Sequence, residues 1–214
     1  MITKEQMEQN KETFINLINS IERDFDKEKL IDWLTNRSDF FTAPCSTKYH
    51  ASFDGGLCLH SLNVFYCLES LCNTFAVNWE FEDGKPTNPT PKYTRDSIII
   101  VSLLHDISKA NFYEQYFKNV KNEQTGAWEK IPSYRVKDPS ERFLFGNHEQ
   151  TSEYMVRSFI PLSVEESVAI LNHMGGMGFD SAQTDLSTIY PNYNLACLLH
   201  VADMISTYCL EGKL

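Results

Sequence analysis

The run SIIIVSLL at residues 97–104 constrains the fold more than any other segment, because six of its eight residues are apolar. A surface helix needs a polar face, so this composition predicts a helix that is buried on most sides. Asp96 is a suitable N-cap for that helix, and the doublet His105-Asp106 follows it directly. We therefore expect a histidine and an aspartate at the end of a buried helix.

Apolar residues recur at helical spacing along most of the remaining chain. The segment FFTAPCSTKYHASFDGG predicts a loop that leads into the next helix, and residues 80–93, with three prolines, predict an exposed loop. Tyr, Trp and Val residues around NEQTG predict a short β-hairpin at 116–136 that could cover a pocket. The expected helices cover 4–36 as one or two amphipathic helices, about 57–75, about 97–105, about 148–160, about 163–174 ending at Gly175-Gly176, and about 192–209.

Size and charge limit the classes of function. A chain of 214 residues that is 42% hydrophobic fits one globular domain. Its net charge of −10 disfavours a broad double-stranded DNA interface, although a small phosphorylated ligand is compatible with a metal that supplies local positive charge. Six cysteines without a C-x-x-C pair are typical of reduced thiols, and no apolar segment is long enough to cross a bilayer. We expect a soluble, cytoplasmic protein with no membrane partner.

Histidines and aspartates recur next to small or apolar residues, and imidazole with carboxylate is a ligand set suited to a catalytic divalent metal. Each has a plainer interpretation when taken alone. A histidine on an apolar helix is often a satisfied core residue, and one at a helix end can be a cap. Asp203 lies in an otherwise apolar helix, where an unpaired carboxylate is costly. The candidate metal ligands are His60, His105, Asp106, His148, His173 and Asp203.

Five segments together carry a family resemblance: KYHASFDGGLCLHSLNV, IIVSLLHDISKANFY, GNHEQTSEYM, ILNHMGG and LLHVADMIS. The chain resembles the HD-domain metal-dependent phosphohydrolase superfamily, and within it the 3′→5′ exoribonuclease-type and small phage-like HD proteins. The resemblance implies an all-α helical bundle with a central metal site and, as a possible addition, the hairpin near 116–136. It covers roughly residues 40–210, so we expect one domain at 1–214, with an N-terminal helical extension at 1–40 and a metal-binding core at 41–214.

The resemblance also implies the site residues. His60, His105, Asp106 and Asp203 match the ligands of a first metal. His148 and His173, with Asp106 as a bridge, match those of a second. Lys109, in the HD-x-x-K pattern, matches a lysine that neutralises phosphate oxygens, although a solvated helix-end lysine is the alternative. One or two divalent ions are expected, of Mn, Fe, Ni, Co, Mg or Zn.

The implied activity is hydrolysis of a phosphoester or phosphoanhydride of a nucleotide or short oligonucleotide by metal-activated hydroxide, with Asp106 and Lys109 as catalytic residues. Lys48 and His50 are candidates for substrate contact or residues of a plain surface loop. No G-x-S-x-G or G-x-x-x-x-G-K motif offers a rival mechanism. A catalytically inactive metal- or nucleotide-binding regulatory module and a purely structural helical protein are the alternatives, and the oligomeric state stays open.

Overall fold

The computed structural model describes residues 2–78, 81–86, 89–143, 145–175 and 185–211, and it is mostly helical. Over these residues, no helix combines the length and the apolar character that crossing a bilayer requires. The eight α-helices found in the described ranges are α1 (Lys4–Asn19), α2 (Lys27–Asp32), α3 (Gly56–Phe75), α4 (Arg95–Leu104), α5 (His148–Arg157), α6 (Val164–Leu171), α7 (Leu186–Asn192) and α8 (Asn194–Ile205).

Several helices begin at side chains that satisfy free backbone N–H groups. Thr3, Asn147 and Ser163 each form a capping box with a residue three positions later, at the starts of α1, α5 and α6. The expected cap of α4 was wrong: Thr94 caps it by accepting from the N–H of Ser97. Asp96 lies inside the helix, where its carboxylate accepts from backbone N–H groups of the N-terminal segment. The local pattern assigned Asp96 to the helix cap, but its carboxylate instead binds a segment that is distant in sequence.

Helix α4 is the buried centre that its composition predicted, since residues 98–104 are all buried. Helix α3 packs against α1, α4 and α8, and α8 packs against α6. The predicted N-terminal extension contributes to the same hydrophobic cluster through Phe14, Ile18 and Leu30, each fully buried. Short irregular helical turns continue two of the helices, at Trp33–Arg37 after α2 and at Ser206–Leu210 after α8. Helix α7 was not predicted, and Gly176 of the expected α6 terminus lies outside the described residues.

The strands make the all-α expectation too strict. Strands β5 (Tyr113–Lys121) and β6 (Trp128–Val136) form an antiparallel hairpin that begins three residues before the predicted one, with Tyr113 opposite Val136. The segment 80–93, expected to be an exposed loop, contains the antiparallel pair β2 (Phe81–Glu82) with β3 (Lys85–Pro86). It also contains β4 (Thr90–Pro91), which pairs with β1 (Val77–Asn78) just before the segment. These pairs are too short for a sequence period to reveal them.

Candidate metal centre

Six side chains that the sequence singled out come together from five separate parts of the fold. They are His60 on α3, His105 at the C-cap of α4, Asp106 just after it, His148 at the first position of α5, His173 just after α6, and Asp203 on α8. We call these six residues the aspartate cluster.

Asp106 lies at the middle of the cluster, and its two carboxylate oxygens face different histidines. Oδ2 lies 3.6 Å from Nε2 of His60 and 3.4 Å from Nε2 of His105. Oδ1 lies 3.8 Å from Nε2 of His148 and 3.5 Å from Nε2 of His173. A carboxylate with one oxygen toward each of two imidazole pairs has the arrangement of a bridging ligand.

Asp203 completes the first side of the cluster. Its Oδ1 lies 3.2 Å from Nε2 of His60. Ligand atoms of His60, His105 and Asp203 all lie within 4.8 Å of one another, as do those of His105, Asp106 and His173. Both groups have the compactness of a metal site with nitrogen and oxygen donors.

The end of α4 explains how two adjacent residues can point to one place. On a regular helix the side chains of His105 and Asp106 would diverge by about 100°. The helix ends at Leu104, His105 is its C-cap, and Asp106 leaves the helical conformation with φ −108° and ψ 18°. The change of backbone direction brings both side chains into the cluster.

The polar atoms at the centre of the cluster are buried but not satisfied. Within the described part of the chain, no hydrogen-bond partner meets Nε2 of His60, His105, His148 or His173, or Oδ1 of Asp106. Buried polar atoms are almost always hydrogen-bonded, and each one left without a partner costs about 1–3 kcal/mol. Four imidazole nitrogens around a carboxylate are the donor set for a divalent cation, so the residues fit a metal ion.

The opposite ring nitrogens are anchored, which leaves Nε2 as the free atom. Nδ1 of His105 donates to the carbonyl oxygen of Ser102 at 2.8 Å, and Nδ1 of His173 donates to that of Ile170 at 2.7 Å. A hydrogen bond from Nδ1–H fixes the tautomer in which Nε2 carries the lone pair, as in most metal-ligating histidines.

Glu211 anchors Nδ1 of His60 in the same way, and the sequence analysis did not identify this residue. Its Oε2 lies 3.0 Å from Nδ1 of His60, and its Oε1 accepts from Nδ2 of Asn63 at 2.8 Å. A carboxylate behind a ligating histidine orients the ring and raises its basicity. Glu211 lies 151 residues from His60 along the chain, and no local motif indicates the contact.

Charges near the cluster set its ionisation. Burial alone would raise the pKa of Asp106, but Lys109 and His105 hold that pKa well below its usual range. Burial and the neighbouring His173 lower the pKa of His148 to about 3, and burial also lowers the pKa of His105. His105 and His148 therefore stay neutral beside a carboxylate, and these are the protonation states that bind metal. Burial opposes a charge on the other two histidines, but Cys45, Asp203 and Glu211 raise the pKa of His60, and Asp106 raises that of His173.

Lys109 is part of the centre and not a solvated helix-end lysine. Its Nζ lies 2.6 Å from Oδ2 of Asp106, and only 16% of its side chain is exposed. Burial opposes its charge, but Asp106 raises the pKa of Lys109 well above the ordinary value. The chain thus holds a permanent ammonium group beside the bridging carboxylate.

The loop before α3 closes one side of the centre, and it depends on two glycines. Gly55 has φ +80°, and a Cβ on Gly56 would lie 2.0 Å from the carbonyl oxygen of Ala51. Only glycine allows this approach. The loop brings Cys45 to 4.0 Å from Oδ2 of Asp106, a neighbour that sequence reasoning also missed, and places His50 beside the thiol.

A cavity of about 810 Å³ opens at the cluster. Its volume lies within the range of small-molecule sites. Three lysines at its wall provide positive charge in a chain that is acidic as a whole. The lining residues are Lys48, Tyr49, His50, Lys109, Lys118, His148, Met174, Asp203, Met204, Thr207 and Tyr208.

His200 lies outside the cluster although it belongs to the same helix as Asp203. Its Nδ1 donates to the carbonyl oxygen of His173 at 2.7 Å. It supports the backbone from which a cluster histidine projects.

Searches against protein-family models, curated proteins and solved structures find no match to this chain. No relative therefore supplies a role for any of these side chains. The chemistry of the centre has to be inferred from its donor atoms, their burial and the adjoining cavity.

Proposed function

We propose that this protein is a metal-dependent phosphohydrolase of the HD-domain type. The observation that carries the proposal is the set of five buried polar atoms without hydrogen-bond partners in the described chain, four imidazole nitrogens and Oδ1 of Asp106. A structural core would pair or exclude such atoms. Their convergence from separate elements is typical of a site that is completed by a cation.

The two faces of Asp106 support a binuclear site. His60, His105 and Asp203 would hold one ion together with Asp106, and His148 and His173 would hold a second with the same aspartate. Divalent ions at such a site lower the pKa of water and offset charge on phosphate oxygens. Mn, Fe, Co, Ni and Zn suit the mixed nitrogen and oxygen donors, and Mg is the hardest of the candidates.

Lys109 supports the same chemistry. Its ammonium group reaches both Asp106 and the cavity. From there it can donate to a phosphate oxygen and stabilise the charge that develops during phosphoryl transfer. Because Lys109 is buried and paired with a carboxylate, its charge is held in position before substrate arrives.

The cavity favours a nucleotide or a short oligonucleotide as substrate. Lys48 and Lys118 extend positive charge from the metal centre toward the cavity wall, and Tyr49 and Tyr208 add exposed aromatic surface on which a base can stack. The volume suits a ligand of nucleotide size. The six free cysteines support a reducing, cytoplasmic environment for the enzyme.

The test is metal analysis of the purified protein combined with a phosphate-release screen over nucleotides and short oligonucleotides in added Mn²⁺. We expect about two metal equivalents, turnover that a chelator abolishes, and recovery when Mn²⁺ is restored. Protein that binds no divalent metal under any condition would overturn the proposal. Metal binding without turnover of any substrate would favour the regulatory, catalytically inactive alternative.

A further inference from the structure

Cys45, His50 and His60 form a second group of potential metal ligands beside the aspartate cluster. Sγ of Cys45 lies 3.3 Å from Nε2 of His50, and the ring centroids of His50 and His60 are 5.0 Å apart. One ligand atom from each of the three residues lies within 4.8 Å of the others. Cys45 and His60 are fully buried, and His50 is partly buried.

The distance between the thiol and the imidazole fits joint ligation of one ion. Tetrahedral zinc with a sulfur at 2.3 Å and a nitrogen at 2.0–2.1 Å separates those two ligand atoms by about 3.5 Å. The observed 3.3 Å is close to this value. A thiol-to-imidazole hydrogen bond also explains this pair, but it leaves Nε2 of the adjacent His60 without a partner among the described residues.

Burial raises the pKa of the Cys45 thiol to about 11, so its ionisation has to accompany the binding of a cation. Nζ of Lys109 lies 3.7 Å from Sγ, and a neighbouring ammonium group stabilises a thiolate. Binding of a divalent ion releases the thiol proton to solvent, since only the deprotonated sulfur is a ligand. Nδ1 of His60 is occupied by Glu211, so Nε2 is the nitrogen that this residue can offer.

We propose that Cys45, His50 and His60 form a second site, overlapping the aspartate cluster at His60, for a thiophilic divalent ion such as Zn²⁺ or Co²⁺. One sulfur and two imidazoles select softer ions than the aspartate cluster does, because the cluster's donors are imidazoles and carboxylates without sulfur. Nε2 of His60 is common to both, so an ion at the sulfur site removes a ligand from the first position of the proposed binuclear centre. Zinc then competes with manganese, and this consequence rests on the proposed function.

Cobalt is the probe that distinguishes the two sites directly. Co²⁺ is added to the metal-free protein and followed by its absorption, because a thiolate ligand produces an intense sulfur-to-cobalt charge-transfer band in the near ultraviolet that oxygen and nitrogen ligands do not. We expect that band in the parent protein, its loss in Cys45→Ser and a clear decrease in His50→Gln.

The matched control is Cys72→Ser. Cys72 is also a buried free thiol on the chain, but it is twelve positions beyond His60 on α3, about 18 Å along the helix axis at 1.5 Å per residue. This variant retains the charge-transfer band. Circular dichroism verifies that each variant is folded, and the parent spectrum tests the proposal even if a substitution prevents folding.

The outcomes separate this proposal from the function proposed above. Stoichiometric Co²⁺ binding with no charge-transfer band in the parent overturns the sulfur site and leaves the phosphohydrolase centre standing. A band that persists unchanged in Cys45→Ser, or in His50→Gln, also overturns the three-residue site. A band accompanied by only one bound Co²⁺ and no metal-dependent turnover supports the sulfur site while the proposed function fails.

Discussion

Two buried carboxylates in this protein, those of Glu166 and Asp106, differ in whether both of their oxygens have hydrogen-bond donors. Glu166, whose side chain is 1% exposed, has both carboxylate oxygens satisfied: Arg23 donates to them at 2.6 and 2.8 Å, and the N–H of Ser163 donates at 2.8 Å. Asp106 is equally buried, yet over the residues described its Oδ1 has no donor, and four imidazole nitrogens face it unpaired.

The contrast shows that the fold can satisfy a buried carboxylate. Outside the cluster, the buried side-chain atoms without a partner in the described chain are hydroxyls, those of Thr35, Ser61 and Tyr190. Where a buried carboxylate holds two segments together, the chain supplies an arginine and a backbone donor. In the aspartate cluster it accepts a cost of about 1–3 kcal/mol for each unpaired polar group. A cation bound at the cluster, as proposed above, would satisfy these atoms.

The largest effect expected is that of Asp106→Asn on catalysis. Both proposed ions lose their common ligand, so metal content should fall to background and kcat/KM should fall more than about 10³-fold, beyond the 10²–10³ that one hydrogen-bond donor contributes in other enzymes. Asp32→Asn, at an exposed carboxylate, is the control that keeps metal and activity. Normal metal content in Asp106→Asn would be incompatible with a bridging role.

Arg23→Ala should damage stability and leave metal binding intact. The substitution leaves Glu166 as a buried carboxylate without its cationic partner. This should lower the free energy of unfolding by about 3 kcal/mol or more. Arg37→Ala removes an exposed pair with Asp32 and should cost less than about 1 kcal/mol. Urea unfolding of the two variants measures the difference. Equal losses would mean that the Arg23–Glu166 pair is no more important than a surface ion pair.

Lys109→Ala should slow turnover while the metal stays bound. Loss of one preorganised charge at a transition state reduces kcat roughly tenfold to thousandfold. Lys118→Ala removes an exposed lysine from the wall of the same cavity and should mainly raise KM by a few fold. Steady-state kinetics with metal analysis separates the two. If both lysines change KM alone, Lys109 only binds substrate.

Most of the helical fold could be predicted from local pattern. The strongly apolar α4 and the uninterrupted α3 were placed within about two residues of their observed ends, because burial repeats along a helix with a period that the sequence displays. Helix α7 escaped because it is short and contains Pro191. The contact of Asp96 with the N-terminal segment was not predicted, because its partners, Glu22 and Arg23, are more than seventy residues away.

The candidate site also contains residues that local sequence could identify and residues that it could not. Its six cluster residues lie in short segments with recognisable spacing, and the fold brings all six together. Cys45 and Glu211 could not be identified, since their importance comes from contacts with Asp106 and His60 across 61 and 151 residues. Local sequence indicates which side chains carry chemistry, but packing decides which others surround them.

The smallest effect concerns the pH dependence of the satisfied pair. Burial alone would raise the pKa of Glu166, but Arg23 and the N–H of Ser163 hold it below its ordinary value of 4.5. A carboxyl whose pKa is lower in the folded state contributes stability above its unfolded-state pKa and loses it as pH falls through the folded value. The stability difference between the parent and Glu166→Gln should therefore be full at pH 6 and shrink progressively below about pH 4.5. Urea unfolding of both proteins at several pH values measures this gap. A stability difference that stays constant with pH would show that the pair stabilises the fold through shape and packing. Glu166 and Asp106 would then differ in hydrogen bonding and not in charge.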